Sequence, residues 1–320
     1  FIFIATDGGV LKIDKKTSTM KNYSTLDGLV NDAVKDIMVD DKGYLWVGTI
    51  NGLSLINIET DEIIDMTDYI SDDKYIKHMY QDIYGNYYLG LLRDDGLCYI
   101  NRKEKTIKYF KHDKKDKSSI SSDRVRYING DSKGNVWIGT SYGINKFDPK
   151  TETFERYTAQ DGIANNTIYG ILVDNDDNIW ASTNKGISKL NPETGKIENL
   201  SVTDGLQSNE FNGNASFKSE SGELFFGGIN GLNTFYPQDI NKMNSGTKVL
   251  FDGFNIDHKE YSNIDGKKFS SHTDNINIKF FTPIYSGNKN LMYEYKLIGA
   301  SGEVFTTKNN YVTFNELSPG

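Results

Sequence analysis

Residues 131–144 read DSKGNVWIGTSYGI. The pattern returns at 40–53 as DDKGYLWVGTINGL, at 174–187 as DNDDNIWASTNKGI and at 219–232 as SESGELFFGGINGL. Residues 82–97, DIYGNYYLGLLRDDGL, are the same unit with two extra residues in its second turn, and residues 1–10, FIFIATDGGV, are its second half. Aligned on their last glycine, the six copies place Gly9, Gly52, Gly96, Gly143, Gly186 and Gly231 at spacings of 43, 44, 47, 43 and 45. A regular period of this length marks an array of one supersecondary unit.

The physics of one unit is readable from its residues. Val34, Ile37 and Val39 alternate as a strand with one buried face. Asp40-Asp41-Lys42-Gly43 supplies turn chemistry, with Gly43 free to take positive φ. Leu45-Trp46-Val47-Gly48-Thr49 follows as a strand that is apolar or small throughout, as expected where both faces are covered. Asn51-Gly52 turns the chain again, residues 53–57 alternate as a third strand, and residues 63–66 form a fourth. Four antiparallel strands per period make one propeller blade, and radial repetition disposes of open sheet edges. Helical solenoids need a 3.6-residue period that no segment shows, and a parallel β-helix would repeat at a much shorter interval. The expected fold class is all-β: six blade units over residues 1–240, the first incomplete because it begins inside a strand, within a ring expected to total seven.

After Phe235-Tyr236-Pro237 the period stops. Residues 241–248, NKMNSGTK, are polar and turn-rich and read as a linker. Short alternating segments at 249–256, 276–281, 292–298 and 311–314 then predict a small immunoglobulin-like β-sandwich over 249–320. Leu317-Ser318-Pro319-Gly320 is a turn that should lead into another strand, so the sandwich is expected to be incomplete and the chain a fragment.

With 36 basic and 44 acidic side chains, the net charge of −8 argues against nucleic acid, whose binding needs a basic face. The most basic stretch, Lys111-His112-Asp113-Lys114-Lys115-Asp116-Lys117, is interrupted by acids and reads as a solvated loop. Cys98 has no second cysteine to pair with, which leaves the redox compartment open. No apolar run approaches the roughly 20 residues that span a bilayer. Phe1-Ile2-Phe3-Ile4 is too short and uncharged to be a signal peptide.

Candidate chemistry is sparse. His78, His112, His258 and His272 lack metal-ligand spacing and read as scattered surface residues. No serine elbow or phosphate loop is present, so no catalytic residue, metal or cofactor is assigned. Asp174-Asn175-Asp176-Asp177-Asn178 superficially suggests calcium, but it occupies the hairpin-turn position and lacks a bidentate glutamate, so it reads as a turn. Trp46, Trp137 and Trp180, with Tyr88 and Phe225 at equivalent places, read as packing between blades, where burial of one large side chain contributes roughly 2–3 kcal/mol. Asp32, Lys74, Asp123, Asn166 and Asn209 share one position in the connectors that lead into each blade, where Asp and Asn cap turns. A ligand breaks ring symmetry, so departures from the repeat are the candidate binding residues: Lys74, Lys77, His78, Arg124, Arg126 and Tyr127, with Arg93 in the two-residue insertion. An acidic or sulfated saccharide would suit these cations.

The GNxWxGTxxG(L/I) unit resembles the two-component regulator propeller repeat, and the connectors Asp27-Gly28-Leu29, Asp161-Gly162-Ile163 and Asp204-Gly205-Leu206 fit it as well. Asn209-Glu210-Phe211-Asn212 through Phe235-Tyr236-Pro237 resembles the closing blade of such proteins. MYEYKLIG at 292–299, with Tyr311 and Leu317-Ser318-Pro319-Gly320, resembles the tyrosine-rich Y_Y_Y domain that follows it. The resemblance implies a non-catalytic sensor region outside the cytoplasmic membrane. It would bind an oligosaccharide or other small molecule, dimerise through the sandwich, and reach the membrane and a histidine kinase or cyclase output only through segments absent from this chain. Relatives often carry two propellers in tandem, whereas this chain carries one. Two rivals make different predictions: a propeller lyase needs a His, Tyr and Arg cluster at the central opening, and a protein-binding scaffold needs an exposed apolar patch.

Overall fold

The computed structural model describes residues 1–242, 249–270, 273, 275–282, 292–296 and 304–315. The chain divides into two compact units, Phe1–Val202 with Leu206–Pro237, and Thr203–Gly205 with Gln238–Gly320. The first unit holds six antiparallel sheets, each a blade. Blade I is β1 (Ile2–Thr6), β2 (Gly9–Ile13) and β3 (Met20–Tyr23). Blade II is β4 (Val34–Val39), β5 (Tyr44–Thr49), β6 (Leu53–Asn57) and β7 (Ile63–Asp65). Blade III is β8 (Ile76–Gln81), β9 (Tyr87–Leu91), β10 (Leu97–Asn101) and β11 (Thr106–Phe110). Blade IV is β12 (Val125–Gly130), β13 (Val136–Thr140), β14 (Gly143–Asp148) and β15 (Thr153–Tyr157). Blade V is β16 (Ile168–Val173), β17 (Ile179–Thr183), β18 (Gly186–Leu190) and β19 (Ile197–Leu200). Blade VI is β20 (Phe211–Lys218), β21 (Leu224–Gly228) and β22 (Gly231–Phe235). The first strands β4, β8, β12, β16 and β20 neighbour one another and form the inner wall. The three strands of blade I correspond to the second to fourth of the others.

One carboxylate organises each of blades II to V. The Asp131 Oδ1 atom accepts the backbone N–H groups of Lys133 and Asn135, while Oδ2 accepts the indole N–H of Trp137 at 2.9 Å. Asp174 does the same for Asp176, Asn178 and Trp180, and Asp40 for Lys42, Tyr44 and Trp46. In blade III Asp82 accepts Tyr84, Asn86 and the Tyr88 hydroxyl, so the tyrosine replaces the indole without loss of the bond. Asp40, Asp82, Asp131 and Asp174 are all buried. Each closes the first turn and satisfies a donor that burial would otherwise strand. The Asp174 oxygens are thereby committed to N–H groups, the arrangement of a turn and not of a cation loop. The tryptophans lie in the layers between blades, where Trp46 stacks on Tyr87 of the next blade at 4.2 Å.

The repeat glycine stitches successive blades. The N–H groups of Gly9, Gly52, Gly96, Gly143 and Gly186 donate to the carbonyls of Asp32, Lys74, Asp123, Asn166 and Asn209 in the following connector, at 2.6–2.8 Å. Four of those connector side chains also close their own loop: Asp32 accepts Thr25 N, Asp123 accepts His112 N, Asn166 accepts Ala159 N and Asn209 accepts Val202 N. Gly186 has φ 105°, and a methyl group there would sit 2.0 Å from the Leu200 carbonyl oxygen. Only glycine fits.

Two local expectations change. Val39 is 53% exposed at the end of β4, although the bulge between Val34 and Asp36 leaves it on the same face as buried Val34 and half-buried Ile37. Residues 237–242 form a short helix, α1 (Pro237–Lys242), where the end of the last blade and the start of a linker were expected; the rest of that linker, 243–248, lies outside the described residues.

In the second unit, β23 (Leu250–Ile256), β24 (Lys259–Tyr261), β25 (Asn275–Phe281) and β28 (Tyr311–Asn315) form one sheet in the order β24-β23-β25-β28. A second sheet pairs β26 (Tyr293–Lys296) with β27 (Val304–Thr307). Phe280 meets Tyr293 edge-on at 4.7 Å, and Tyr295 meets Phe314 at 6.0 Å, so an aromatic core joins the two sheets of an immunoglobulin-like sandwich. His272, residues 297–299 and Leu317-Ser318-Pro319-Gly320 lie outside the described residues.

Two substitutions test this frame. Asp174→Ala strands one buried indole N–H and two backbone N–H groups, and should cost on the order of 3 kcal/mol or more in urea denaturation; chelation with EDTA should leave the melting temperature unchanged. Gly186→Ala should cost about 2 kcal/mol or more in the same measurement, through positive φ and the carbonyl clash together.

A candidate functional site at the axis and connector face

Every inner strand is bulged near its start. The register shifts between Val34 and Asp36, Ile76 and His78, Val125 and Tyr127, and Ile168 and Gly170. The unpaired residues are Lys35, Lys77, Arg126 and Tyr169, one per blade, and a bulge re-aims the side chain it frees. In β20 the shift spans Phe211 to Ser216, so Asn212 to Ala215 leave the ladder together. This longer bulge reaches across the axis, where Asn214 Nδ2 donates to the Lys77 carbonyl at 3.4 Å.

The residue after each bulge has a different task. Asp36 Oδ2 accepts the Met79 N–H of the next blade at 2.7 Å, and His78 Nδ1 accepts the Ile128 N–H of the blade after that at 3.3 Å. His78 also stacks on Tyr127, with ring centroids 3.9 Å apart. Burial, reinforced by Lys77, holds the His78 imidazole down at about 3, so it is neutral. His78 is therefore a wall residue that bonds blade to blade, not one of a set of scattered surface histidines. His112 is likewise engaged, with Nδ1 at 2.8 Å from the Ile120 carbonyl, while His258 is exposed.

The seven residues singled out from the sequence fall into three places. Lys74, Arg93 and Arg124 lie on the connector face and are already partnered by the insertion of blade III or its neighbours. Lys74 pairs with Asp95 at 3.1 Å and Asp73 at 3.2 Å, Arg124 with Asp94 at 2.7 Å, and Arg93 donates to Asn51 Oδ1 at 2.9 Å. His78 and Tyr127 belong to the wall. Lys77 and Arg126 stand at the axis. Arg126 Nε donates to Ser141 Oγ at 2.9 Å and its guanidinium lies 5.4 Å from the Tyr169 ring centre. Lys77 makes no ion pair with any described residue, and loss of solvation holds its ammonium below the usual range, with Asp36 opposing and Arg126 adding to the shift.

Sequence reasoning missed three features. Asp36 and Tyr169 occupy positions whose meaning depends on the bulge. The third is a groove of about 830 Å³ on the connector face, lined by residues that include Asp94, Lys117, Tyr142, Glu155, Arg156 and Gln160. Its wall is the connector 111–124, four residues longer than the ten-residue connectors at 24–33, 66–75, 158–167 and 201–210. The spacing of 47 between Gly96 and Gly143 was its sequence signal. The basic stretch assigned to a solvated loop thus also lines a cavity, through His112 and Lys117. Arg156 fixes this connector, with Nε on the Ser119 carbonyl at 2.7 Å and a terminal nitrogen on the Asp116 carbonyl at 2.8 Å. Tyr142 stands in the groove 51% exposed.

Asp36 gives the axis a pH signature. Loss of solvation raises its carboxyl to about 7, against the lowering effects of the Met79 and Ile37 N–H groups and Lys77. The folded protein therefore holds a proton that the unfolded chain releases near 3.8, and stability from this group falls as pH rises from about 4 to about 7. Asp36→Asn keeps an oxygen for Met79 and removes the charge. Its melting temperature relative to the parent should rise by a few kelvin across that interval and level off above it, as read by calorimetry.

Comparison with known proteins agrees with this geometry. A model of the two-component regulator propeller matches residues 28–51, 119–142 and 162–185, each a connector with the first two strands of its blade. Histidine kinase P4 of Formosa agariphila is 26% identical over 391 aligned positions, covering 97% of this chain and 28% of that protein. The extracellular domain of a hybrid two-component system from B. thetaiotaomicron superposes with a TM-score of 0.71 at 20% identity, covering 99% of this chain and 45% of that one. The extracellular domain of a one-component system from the same organism superposes at 0.58 and 18% identity, over 99% and 45%. The chain spans less than half the length of these relatives, and no helix among the described residues is long and apolar enough to cross a membrane. The chain carries two-component regulator propeller repeats on a fold that it shares with those extracellular domains.

Proposed function

We propose that this chain is the ligand-sensing region of a membrane-bound bacterial signalling protein of two-component type. It is held outside the cytoplasmic membrane and binds an oligosaccharide or comparable small molecule on its connector face without reacting it. The observation that carries this reading is the match of three connector-and-blade segments to the two-component regulator propeller. The groove supports it. Tyr142 offers an exposed ring on which a sugar face can stack, and Asp94, Glu155, Gln160 and Asp161 offer acceptors for its hydroxyls. The histidine of the inner wall, His78, is neutral and committed to a backbone N–H, which favours binding over proton transfer. The sandwich, read as a Y_Y_Y-type domain and the site of dimerisation, would carry the change to a membrane helix and bias the output between two states.

A thermal-shift screen of oligosaccharides tests the reading, since a ligand of the folded state raises the melting temperature. Tyr142→Ala should weaken binding of the responding glycan about tenfold, the scale of one aromatic contact. Arg124→Ala should leave it unchanged, because that side chain is exposed and already paired with Asp94. A glycan bound equally well by the Tyr142 variant would remove the groove as the site.

A further inference from the structure

The five inner strands carry four cations, Lys35, Lys77, Arg126 and Lys218, and one carboxylate, Asp36. Lys35 is paired with Asp7 of blade I. Lys77 and Arg126 sit at the same bulge position on adjacent strands, and neither has a carboxylate within ion-pairing distance among the described residues. Partly desolvated cations without counter-charge are costly, and a protein keeps such a pair where something else neutralises it.

We infer that the propeller axis is an oxyanion site, in which a carboxylate or sulfate group of the ligand binds between Lys77 and Arg126 over the Tyr169 ring. It rests on the sensor reading only for its biological role. Blade VI shows how close these groups come: a methyl group on Gly213 would lie 3.9 Å from Lys77 Nζ and 3.8 Å from the Tyr169 ring, and that ring carries the Arg126 guanidinium at 5.4 Å. Arg126 is anchored through Nε to Ser141, so its terminal nitrogens are left for a planar or tetrahedral oxyanion. Asn214 adds a second pointer. It holds φ 63°, and its Oδ1 is buried with no donor among the described residues, an acceptor suited to a hydroxyl carried beside the anionic group.

Asp36 then sets the pH at which the site works. Lys77 on β8 acts on it directly and it acts in turn on Tyr127 of β12, while Lys35 on its own strand, Arg126 on β12 and neutral His78 on β8 are coupled to Lys77. Protonated, Asp36 leaves both cations to the ligand. Ionised, it competes for Lys77. Anion affinity therefore falls as pH rises through neutrality, and by linkage a bound anion favours the protonated carboxyl.

Isothermal titration of the 320-residue chain with sodium sulfate, sodium glucuronate and neutral glucose, at fixed ionic strength, tests this. We expect sulfate, glucuronate or both to bind and glucose not to. Lys77→Met and Arg126→Gln should each weaken the anion about tenfold or more, the scale of one charge-assisted hydrogen bond. Lys77→Arg and Arg126→Lys should retain binding, which separates loss of charge from loss of fold. From pH 6 to pH 8 the parent should weaken about tenfold while Asp36→Asn stays within about twofold. Sulfate alone would identify a sulfated ligand, and glucuronate alone a uronate. Failure of both anions to bind at tens of millimolar, equal binding of glucose, or anion binding indifferent to both charge-removing variants would overturn the inference. None of these outcomes touches the Tyr142 groove, whose failure is read separately with its own glycan.

Discussion

The structure depends on a carboxylate that accepts two backbone N–H groups and one buried aromatic donor. A tryptophan in the layer between two sheets brings a large apolar area and one polar hydrogen, and the hydrogen must be satisfied where water does not reach. An aspartate six residues upstream does this from the turn that starts the strand, in Asp40 and Trp46, Asp131 and Trp137, and Asp174 and Trp180. The turn, the second strand and the packing of one blade on the next are thus one local device, which is why the repeat is spelled DxxGxxWxG.

The same device explains what the sequence makes legible. The period, the strand count, the turn at Asp174–Asn178 and the interior place of the tryptophans all follow from short-range patterns, since each involves residues a few positions apart. The inner-strand bulges do not read so easily. Their trace is the spacing of three between Val34 and Ile37, which looks like imperfect alternation until Asp36 is seen bonding to the next blade. The candidate site was half legible for a related reason. Lys74, Lys77, Arg93, Arg124 and Arg126 do depart from the repeat, but departure does not say whether a partner waits nearby. Asp73 and Asp95 neutralise Lys74, Asp94 neutralises Arg124, and Arg93 is held by the Asn51 amide and the Asp73 carbonyl, whereas neither axial cation forms an ion pair among the described residues. Tyr142 gave no such signal, because what makes it a candidate is the groove that the long connector at 111–124 and the connector at 158–167 form around it.

Conserved geometry and variable chemistry are separated by depth in this propeller. The turn carboxylates of blades II to V, the aromatic layers and the glycine bridges are alike from blade to blade and hold the blades together. The bulge residues, the insertion at 92–96 and the long connector at 111–124 differ, and these frame both the axis and the groove. The proposed sensing role gains from this division, since ligand chemistry can vary on positions that the frame does not use.

The glycine bridge has a consequence for how such a chain can lengthen. Its donor lies in one repeat and its acceptor in the next, so each unit offers a free donor forward and a free acceptor backward, like a monomer with unlike ends. Duplicating one genetic period preserves every joint without inventing a new one. An insertion confined to a turn leaves the joints intact as well, as blade III shows: its longer second turn still delivers Gly96 to the carbonyl of Asp123. Growth by copying and specialisation by local insertion are therefore both cheap in this architecture, and the irregular spacings of the six glycines are the record of the second.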